Sequence, residues 1–235
     1  MALPFFYIES FGLSSKAIEL DEDTSRHVVQ VLRMKEGEKL NLTDGKGNLI
    51  EAEITDAHKK HCTVQVILTY YQQPPSGKVT IAISLLKNTS RFEWFLEKAT
   101  EIGISEIIPL ICERTEKQKF RDDRMKGICI SAMLQSQQTW LPVLHEPVRF
   151  GDLMISRLAD GQRFIAHCDE GNKQQLSNQT IKQSSVILIG PEGDFTKEEI
   201  NLALEKNFIP VSLGETRLRT ETAGIVAVTL FKMTK

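Results

Sequence analysis

The amino-acid sequence predicts an α/β fold, in which a mainly parallel C-terminal sheet with helices on both faces follows a small β-rich domain. Strand-like and helix-like segments alternate over residues 79–233, which is typical of a parallel sheet covered on both faces. Before them, the run Q-Q-P-P-S-G at 72–77 is rich in residues that interrupt regular structure. Within residues 39–68, apolar and polar residues alternate in segments that are separated by turn residues, which is typical of β-strands. We therefore expect two domains, 1–72 and 73–235.

The first domain is predicted to contain one short helix and three strands. The helix is expected at 25–32, after the acidic residues D-E-D-T and before Gly37. Alternating segments at 39–43 and 49–54 flank D-G-K-G-N, which indicates a β-hairpin. A third strand is expected at 62–68, and its period of two places four apolar side chains on one face: Cys62, Val64, Val66 and Leu68.

The second domain begins the strand–helix alternation. Strands are predicted at 79–86, 104–111, 164–167, 186–189 and 211–213, and helices at 89–102, 122–138 and 220–233. Gly103 is expected to end the first of these helices. Thr196 followed by Glu199 has the spacing of a capping box, which predicts that a further helix begins after Thr196.

The last predicted helix, 220–233, is apolar on every side over A-G-I-V-A-V. A helix of this kind is normally buried all round. It is therefore either a central core helix or half of a subunit interface, and the sequence favours neither.

Composition and charge exclude several classes of protein. A net charge of −2 gives no general attraction for nucleic acid, so an RNA partner would require a local basic stripe such as Arg114, Lys117, Lys119, Arg121 and Arg124 with Arg217. The four cysteines and five histidines have no metal-ligand spacing, which favours reduced thiols and no metal site. The first residues lack a basic segment and no apolar run reaches about 18 residues, so we expect a cytoplasmic protein without membrane contact.

Two predicted strands end at a glycine, and their ends form the candidate site. The strand 186–189 is followed by G-P-E-G-D-F-T, and the strand 211–213 by Gly214 and E-T-R-L-R-T-E-T-A. Neighbouring turns without side chains expose backbone donors and acceptors, which suit the edge of an adenine ring. Neither a dinucleotide-binding fingerprint nor a phosphate-binding P-loop is present.

Several side chains near this site have a structural and a functional interpretation. Arg217 and Arg219 are either solvated surface residues or contacts for phosphate and base. Glu221 is either the cap of a helix or a catalytic carboxylate. Trp140 is either a packing anchor or a stacking platform for a base.

The motifs together resemble the bacterial 16S ribosomal RNA (uracil-N3) methyltransferases of the SPOUT class. The likeness begins with G-P-E-G at 190–193 and L-R-T-E-T-A at 218–223. It extends through the chain to His27, Val31-Leu32-Arg33, Gly37, Asp44-Gly45, Lys87, the stretch E-K-A-T-E-I-G at 97–103, Glu113-Arg114, Gln135-Ser136 and Pro142. Two positions depart from the family pattern: Asp194 replaces a second glycine, and Gln138 stands where an arginine is frequent.

This resemblance implies an N-terminal PUA-like RNA-binding β-barrel, a C-terminal domain with a trefoil knot, and a homodimer formed through the knotted region. It implies S-adenosylmethionine as cofactor, held by residues of the two strand ends: Leu188, Ile189, Gly190, Pro191, Glu192, Gly193, Leu213, Gly214, Leu218, Thr220 and Ala223. The implied substrate is uridine N3 in 16S ribosomal RNA, within the small ribosomal subunit, with RNA contacts from Arg33, Lys87, Arg114 and Arg217.

The catalytic assignment depends only on position after the Leu213-Gly214 turn. We hypothesise that Arg219 stabilises charge on a uracil oxygen, and that Glu221 orients it or acts as the base. Two other functions are compatible with the same fold: a non-catalytic RNA-binding factor for ribosome assembly, and a small-molecule enzyme that uses a nucleotide. Intact glycine turns favour the methyltransferase over the first, and the missing P-loop lysine disfavours the second.

Overall fold

The chain forms two compact units, which we describe separately. The computed structural model describes residues 3–12, 16–116, 119–155, 161–169, 173–181 and 184–233. Residues 1–74 and 133–141 belong to the first unit, and residues 75–132 and 142–235 to the second. The predicted boundary between 72 and 73 is kept as a proposal.

The first unit is built on a five-stranded sheet with the order β1-β3-β4-β5-β2. Its strands are β1 (Phe5–Tyr7), β2 (Ala17–Glu19), β3 (Lys39–Thr43), β4 (Asn48–Asp56) and β5 (Thr63–Tyr71). β3, β4 and β5 pair antiparallel, whereas β1 pairs parallel to β3. One face is packed with fully buried aliphatic side chains, among them Leu40, Leu42, Ile50 and Val64. The alternation of apolar residues thus places a single core on one side of this sheet.

The helix of this unit starts earlier than predicted. Helix α1 (Glu22–Arg26) begins after Asp21, whose carboxylate accepts a hydrogen bond from the Thr24 N–H at 2.9 Å. The residues His27–Val31 continue as a π-helical turn. The expected helix at 25–32 is therefore wrong at its start, because the acidic residues form the first helical turn, where the helix dipole favours them.

The predicted hairpin is confirmed, but the face assignment of β5 needs one correction. β3 and β4 are joined by a turn in which Gly45 and Gly47 have φ of 68° and 94°. The pairing of β4 with β5 shifts register between Glu51 and Ala52. This bulge interrupts the alternation, so Leu68 is 44% exposed and does not share the buried face of Val64.

Trp140 is a packing anchor within the first unit. Its indole N–H donates to the Gln72 carbonyl at 3.0 Å, and its ring lies edge-on to Tyr71. A Cβ on Gly47 would lie 2.6 Å from the Trp140 ring, so only glycine leaves room for the indole there. These contacts support the structural interpretation of Trp140 over base stacking.

Among the described residues, the second unit contains an eight-stranded sheet, of which five strands were predicted and the short strands at 143–144, 148–149 and 174–175 were not. Its strands are β6 (Lys78–Ser84), β7 (Glu106–Ile111), β8 (Val143–Leu144), β9 (Val148–Arg149), β10 (Gln162–Ala166), β11 (Gln174–Gln175), β12 (Ser184–Ile189) and β13 (Ile209–Ser212). The order is β11-β13-β10-β12-β6-β7-β8, and β9 also pairs with β7. Among the described residues, every pairing in this sheet is parallel. The carboxyl ends of β10, β12 and β13 therefore lie side by side at one edge.

Helices cover both faces of this sheet. The helices that follow β6 along the chain are α2 (Thr89–Ile102), α3 (Asp122–Gln135), α4 (Phe150–Ile155), α5 (Lys197–Glu205) and α6 (Thr220–Met233), and the last three residues of α3 belong to the first unit. On one face, α2 packs on α6 and α6 packs on β6, and a Cβ on Gly224 would lie 2.6 Å from the Phe95 ring. On the other face, α4 and α5 contribute Phe150, Leu153, Ile200 and Ala203 to one core cluster. The predicted α/β fold class is confirmed, and the knot stays a prediction of the resemblance.

The predicted helix and strand limits are close to those observed. α2 matches its predicted limits and ends at Gly103, which has φ of 88° and closes the helix as expected. α3 ends at Gln135 rather than at residue 138, because Gln137 turns the backbone to a φ of 55°. The strand expected from residue 104 begins at Glu106.

Helix α6 is not covered on all sides within one chain. Gly224, Ala227, Val228 and Phe231 are buried, whereas Ile225 and Val226 are only partly buried. The all-apolar sequence of this helix is therefore only partly explained by burial within the chain. Within the described residues, no helix combines the length and apolar character needed to span a membrane.

Candidate functional site

A cavity of about 680 Å³ opens at the carboxyl ends of three neighbouring parallel strands, β10, β12 and β13. One wall is the Gly190 turn (residues 190–195) that follows β12, and another is the Gly214 turn (residues 213–219) that follows β13. The start of α6 closes the cavity with Thr220 and Ala223. The two strand ends that the sequence singles out are thus brought together in one crevice.

Close packing requires glycine at the start of the Gly190 turn. A Cβ on Gly190 would lie 3.1 Å from the Phe195 ring and 3.2 Å from the Phe195 nitrogen. Phe195 is only 3% exposed and its ring packs against Phe150, so it has no room to retreat. The turn therefore brings bare backbone to the cavity wall, where a ligand approaches without a side chain between.

Several hydrogen bonds fix the Gly190 turn from outside the cavity. The Arg114 guanidinium donates to the Gly193 carbonyl at 2.7 Å and to the Phe195 carbonyl at 3.4 Å. Behind the turn, Thr196 and Glu199 form the predicted capping box at the start of α5. The Glu199 carboxylate also accepts from the Glu113 N–H at 2.9 Å, which ties this helix start to the end of β7.

Among the described residues, the Gly214 turn is held by fewer hydrogen bonds than the Gly190 turn. Gly214 has φ of +150°, a conformation that L side chains rarely adopt, although no atom stands within 4 Å of its would-be Cβ. The Ser212 hydroxyl bonds both the carbonyl and the N–H of Gly214, at 2.8 and 3.3 Å. At the other end, the Arg219 carbonyl accepts from the Ala223 N–H at 2.8 Å and begins α6. Arg217 and Arg219 themselves are exposed.

Nine of the eleven residues assigned to the cofactor line this cavity, namely Ile189, Gly190, Pro191, Glu192, Leu213, Gly214, Leu218, Thr220 and Ala223. The other two lie behind its wall. Leu188 is fully buried in the core of the sheet, and Gly193 points its carbonyl to Arg114.

The two residues of the catalytic hypothesis are separated. Arg219 lines the cavity. Glu221 lies outside the lining residues and is only 7% exposed, with its Oε1 at 3.6 Å from Nε of Arg91. Its second oxygen, Oε2, is buried and has no hydrogen-bond partner among the described residues.

The proposed RNA contacts are also dispersed. Arg217 lines the cavity, and Arg114 is engaged with the Gly190 turn. Lys87 is exposed and pairs with Glu116 at 2.6 Å. Arg33 lies in the first unit, exposed and with a φ of 57°.

The suggested basic stripe is only partly free of acidic partners. Arg124 pairs with Glu93 at 2.5 Å, and that contact lowers the pKa of Glu93. Lys119 and Arg121 are exposed. Lys117 lies outside the described residues.

Sequence reasoning missed a third wall of the cavity. It is the His167 segment (residues 166–169), which follows β10 and lines the cavity with Ala166, His167 and Cys168, while Lys173 lies nearby. The strand at 164–167 was predicted, and adjacency of parallel strand ends would have pointed to this segment. The His167 segment contains no recognisable sequence motif, so it could be assigned to the site only once the neighbours of β10 in the sheet were known.

The His167 segment contributes a buried imidazole nitrogen and a reactive thiol. The Nδ1 atom of His167 is buried without a partner among the described residues, and burial together with the charge of Lys173 lowers the pKa of His167. Cys168 is an exposed free thiol, whereas Cys62, Cys112 and Cys129 are buried. Burial also raises the pKa of Cys129 to about 11, which leaves little reactive thiolate there. Cys168 is therefore the thiol among these four that should react first with a thiol reagent.

The cavity fits S-adenosylmethionine in size and chemistry. Its volume falls within the range of about 300–1,000 Å³ that is usual for small-molecule sites. Apolar side chains of Ile189, Leu213 and Leu218 supply faces for a ring, and the Gly190 and Gly214 turns supply backbone groups at its edge. Charged side chains of both signs, Lys173 and Glu192 among them, suit a zwitterionic amino-acid tail.

Comparisons with known proteins agree with the geometry. A family model described as an RNA methyltransferase domain matches residues 72–232. A second model, described as an RNA methyltransferase PUA domain, matches residues 20–67.

Individual relatives point the same way. A protein of Synechocystis sp. named ribosomal RNA small subunit methyltransferase E is 33% identical over 210 residues, which cover 86% of this chain and 68% of the relative. A crystal structure of a probable rRNA-methyltransferase from Porphyromonas gingivalis has a TM-score of 0.89 and 39% identity, covering 97% of this chain and 96% of that one. A ribosomal RNA small subunit methyltransferase E from Neisseria gonorrhoeae, bound to S-adenosyl methionine, has a TM-score of 0.86 and 27% identity, with 97% and 95% coverage.

Proposed function

The chain belongs to the RNA methyltransferase family that includes the ribosomal RNA small subunit methyltransferase E proteins, and we propose that it methylates N3 of a uridine in 16S ribosomal RNA with S-adenosylmethionine. One observation carries the assignment of the cofactor. Two glycine-bordered strand ends form a single cavity of suitable volume, in a fold shared with a structure that contains this cofactor. When bound, S-adenosylmethionine supplies the methyl group as an electrophile on its sulfonium.

The residues proposed to hold the cofactor belong to the two turns and the start of α6. Gly190 and Gly214 offer backbone donors and acceptors at short range, since neither carries a side chain. Leu213, Leu218 and Ala223 offer the apolar surface. Leu188 and Gly193 act from behind the wall, where they support the turn rather than contact the ligand.

Arg219 is our candidate for the residue that assists methyl transfer. Uracil N3 carries a proton that must leave before the nitrogen becomes a good nucleophile, and the resulting negative charge spreads onto the ring oxygens. Arg219 is exposed at the cavity, where its guanidinium stabilises such charge. Arg217, on the same turn, is proposed to contact RNA phosphate.

Glu221 is proposed to orient the site rather than to accept the proton. Its carboxylate is buried beside Arg91 and lies outside the residues that line the cavity. A base must come within hydrogen-bond reach of the proton that it abstracts. The burial of Glu221 therefore favours the orienting role, at the start of the helix that Arg219 precedes.

A direct test measures cofactor binding and its location together. Titration calorimetry with S-adenosylmethionine should show heat, and the cofactor should slow the reaction of the Cys168 thiol with a thiol reagent, since Cys168 lines the same cavity. A non-catalytic RNA-binding factor would show no heat. Binding without protection of Cys168 would place the cofactor elsewhere.

The RNA substrate needs a separate test. In a strain that lacks this gene, we expect one uridine of the small-subunit RNA to lose an N3-methyl group, and purified enzyme should restore it. Assays on free RNA and on assembled subunits would show which of them is the substrate. Loss of no methyl group, or of one on a different base atom, would overturn the proposal.

The remaining assignments follow from the proposed substrate. We propose that the PUA-like unit and the residues Arg33, Lys87 and Arg114 contribute to RNA binding. A homodimer that covers the exposed side of α6 would explain why this helix has no polar face. Action on ribosomal RNA places the protein in the cytoplasm.

A further inference from the structure

Asp194 has an unusual backbone conformation within the Gly190 turn. Its φ is 64°, in the left-handed region that glycine normally occupies. Aspartate tolerates this region better than most residues, but still at a cost relative to glycine. A side chain kept at such a position calls for interactions that offset the strain.

The Asp194 carboxylate makes two hydrogen bonds that join separate walls of the cavity. One oxygen, Oδ2, accepts from the Cys168 N–H at 2.7 Å, and the other, Oδ1, accepts from the Phe195 N–H at 2.9 Å. Cys168 belongs to the His167 segment after β10, whereas Phe195 ends the Gly190 turn after β12. A single side chain thereby fixes the distance between two loops that line the cavity.

Lys173 holds the same segment from its other side. The Lys173 ammonium donates to the His167 carbonyl at 3.0 Å and to the Asp169 carbonyl at 2.7 Å. The backbone of residues 167–169 is therefore bonded through an N–H to Asp194 and through two carbonyls to Lys173.

We propose that Asp194 is a positioning residue for the cofactor: it clasps the His167 segment to the Gly190 turn and so sets the width of the cavity before ligand binds. The proposal rests on the assignment of this cavity to S-adenosylmethionine. If the cavity wall is already ordered before the ligand binds, binding does not have to order it. The lower entropic cost gives a tighter affinity. Asp194 acts through the wall, so its loss should alter cofactor affinity more than the rate at saturation.

The central variant is Asp194→Gly, which removes the clasp and also relieves the backbone strain. We expect the Kd for S-adenosylmethionine to rise about five- to tenfold, as for the net loss of one typical hydrogen bond, while kcat at saturating cofactor stays within about twofold. The matched control is Asn207→Gly, at an exposed position outside the cavity with a φ of 62°. It relieves the same kind of strain and should leave the Kd unchanged.

Hydrogen exchange of the Cys168 amide measures the bond between Asp194 and the His167 segment directly. The amide of Cys168 should be protected in the wild-type protein without ligand and should exchange faster in Asp194→Gly. Asp194→Asn removes the charge and keeps one acceptor oxygen, so it can bond the Cys168 N–H only by giving up the bond to the Phe195 N–H. It should therefore retain part of the protection and part of the affinity. If Asp194→Asn kept the amide protected yet bound cofactor as weakly as Asp194→Gly, the proposed clasp would be wrong. The Asp194 carboxylate would then act by direct electrostatic attraction to the cofactor.

The outcomes separate this inference from the function on which it rests. If the wild-type protein did not bind S-adenosylmethionine, the assignment of the cofactor itself would be wrong. Wild-type binding with an equal Kd in Asp194→Gly would remove only the role of Asp194. A raised Kd together with faster exchange at Cys168, both absent in Asn207→Gly, would support the clasp.

Discussion

The two turns that border the cavity differ in how the rest of the protein holds them. The Gly190 turn is fixed by Arg114, by the buried ring of Phe195 and by the capping box behind it. The Gly214 turn is held mainly by the Ser212 hydroxyl, and Arg217 and Arg219 extend from it into solvent. The first turn is preorganised by the protein, whereas the second presents two exposed cations at the cavity. We infer that the first turn determines cofactor affinity and the second the reaction with RNA.

The largest effect is expected from the Gly214 turn, and it should be an effect on rate. Replacement of Arg219 by alanine removes the cation proposed to stabilise charge on the uracil, so kcat should fall by about 10²–10³, as for loss of an oxyanion-stabilising donor. Single-turnover methylation with saturating cofactor measures this step. The Kd for S-adenosylmethionine and the stability of the protein should change little, because Arg219 is exposed.

Arg217→Ala is the matched control for that variant, since it removes a cation from the same turn. We expect it to weaken RNA binding and to reduce the salt dependence of that binding, with a normal rate at saturating RNA. Equal loss of rate in both variants would show that the turn acts through its total charge. Wild-type single-turnover rates for Arg219→Ala would end its proposed role.

The Gly190 turn should respond in the opposite way. Gly190→Ala places a methyl group 3.1 Å from the Phe195 ring, which is buried and packed against Phe150. Overpacking of this kind costs about 1–3 kcal/mol of stability, and the displaced turn should bind cofactor more weakly. Denaturant unfolding and calorimetry measure the two effects.

A glycine in open space gives the contrast for Gly190→Ala. Gly127 lies exposed within α3, and nothing stands within 4 Å of its would-be Cβ. Gly127→Ala should therefore stabilise the protein by about 0.5–1 kcal/mol, because alanine favours a helix interior. If Gly190→Ala were also neutral or stabilising, the tight packing of the Gly190 turn would be irrelevant to its function.

The contrast between the turns also shows what a sequence reveals. Local patterns predicted the longer strands and helices of the second unit, the capping box at Thr196 and the two strand ends. They did not predict the short strands β8, β9 and β11 or the short helix α4. The His167 segment and the separation of Arg219 from Glu221 were not predicted. Both depend on which strands become neighbours and on where α2 packs, and no periodicity within one segment carries that information.

Two local errors have the same origin. Leu68 was assigned to the buried face by its period of two, but a bulge in the pairing with β4 shifts the register. The start of α1 was placed too late because the acidic residues were taken as preceding the helix, whereas they form its first turn. In each case a neighbouring strand or a cap residue, rather than the pattern itself, determines the outcome.

A smaller effect is expected from the support behind the Gly190 turn. Thr196→Ala removes the side chain that caps α5 and should lower stability by about 1 kcal/mol, with catalysis nearly normal. Glu198→Ala, in the same first turn but outside the capping box, should cost no more than about 0.5 kcal/mol. Thermal or urea unfolding compares them. A large loss of cofactor affinity in Thr196→Ala would show that α5 positions the Gly190 turn more strongly than its own contacts do.

The smallest predicted effect is a pH dependence at the third wall. Burial and the charge of Lys173 lower the pKa of His167, so the folded protein binds a proton there less readily than the unfolded chain. Stability should therefore fall as the pH drops below about 6.5, the usual pKa of histidine, until the lower folded pKa is passed.

Carboxylates titrate in part of this range, so the measurement is a comparison of urea unfolding between wild type and His167→Gln. The difference between them should be constant above neutral pH and should shrink below it, because only the wild type loses this contribution. S-adenosylmethionine bound at the proposed site should enlarge the pH effect by shielding the His167 ring further from water. A difference that does not change with pH would show that His167 titrates as freely in the folded protein as in the unfolded chain.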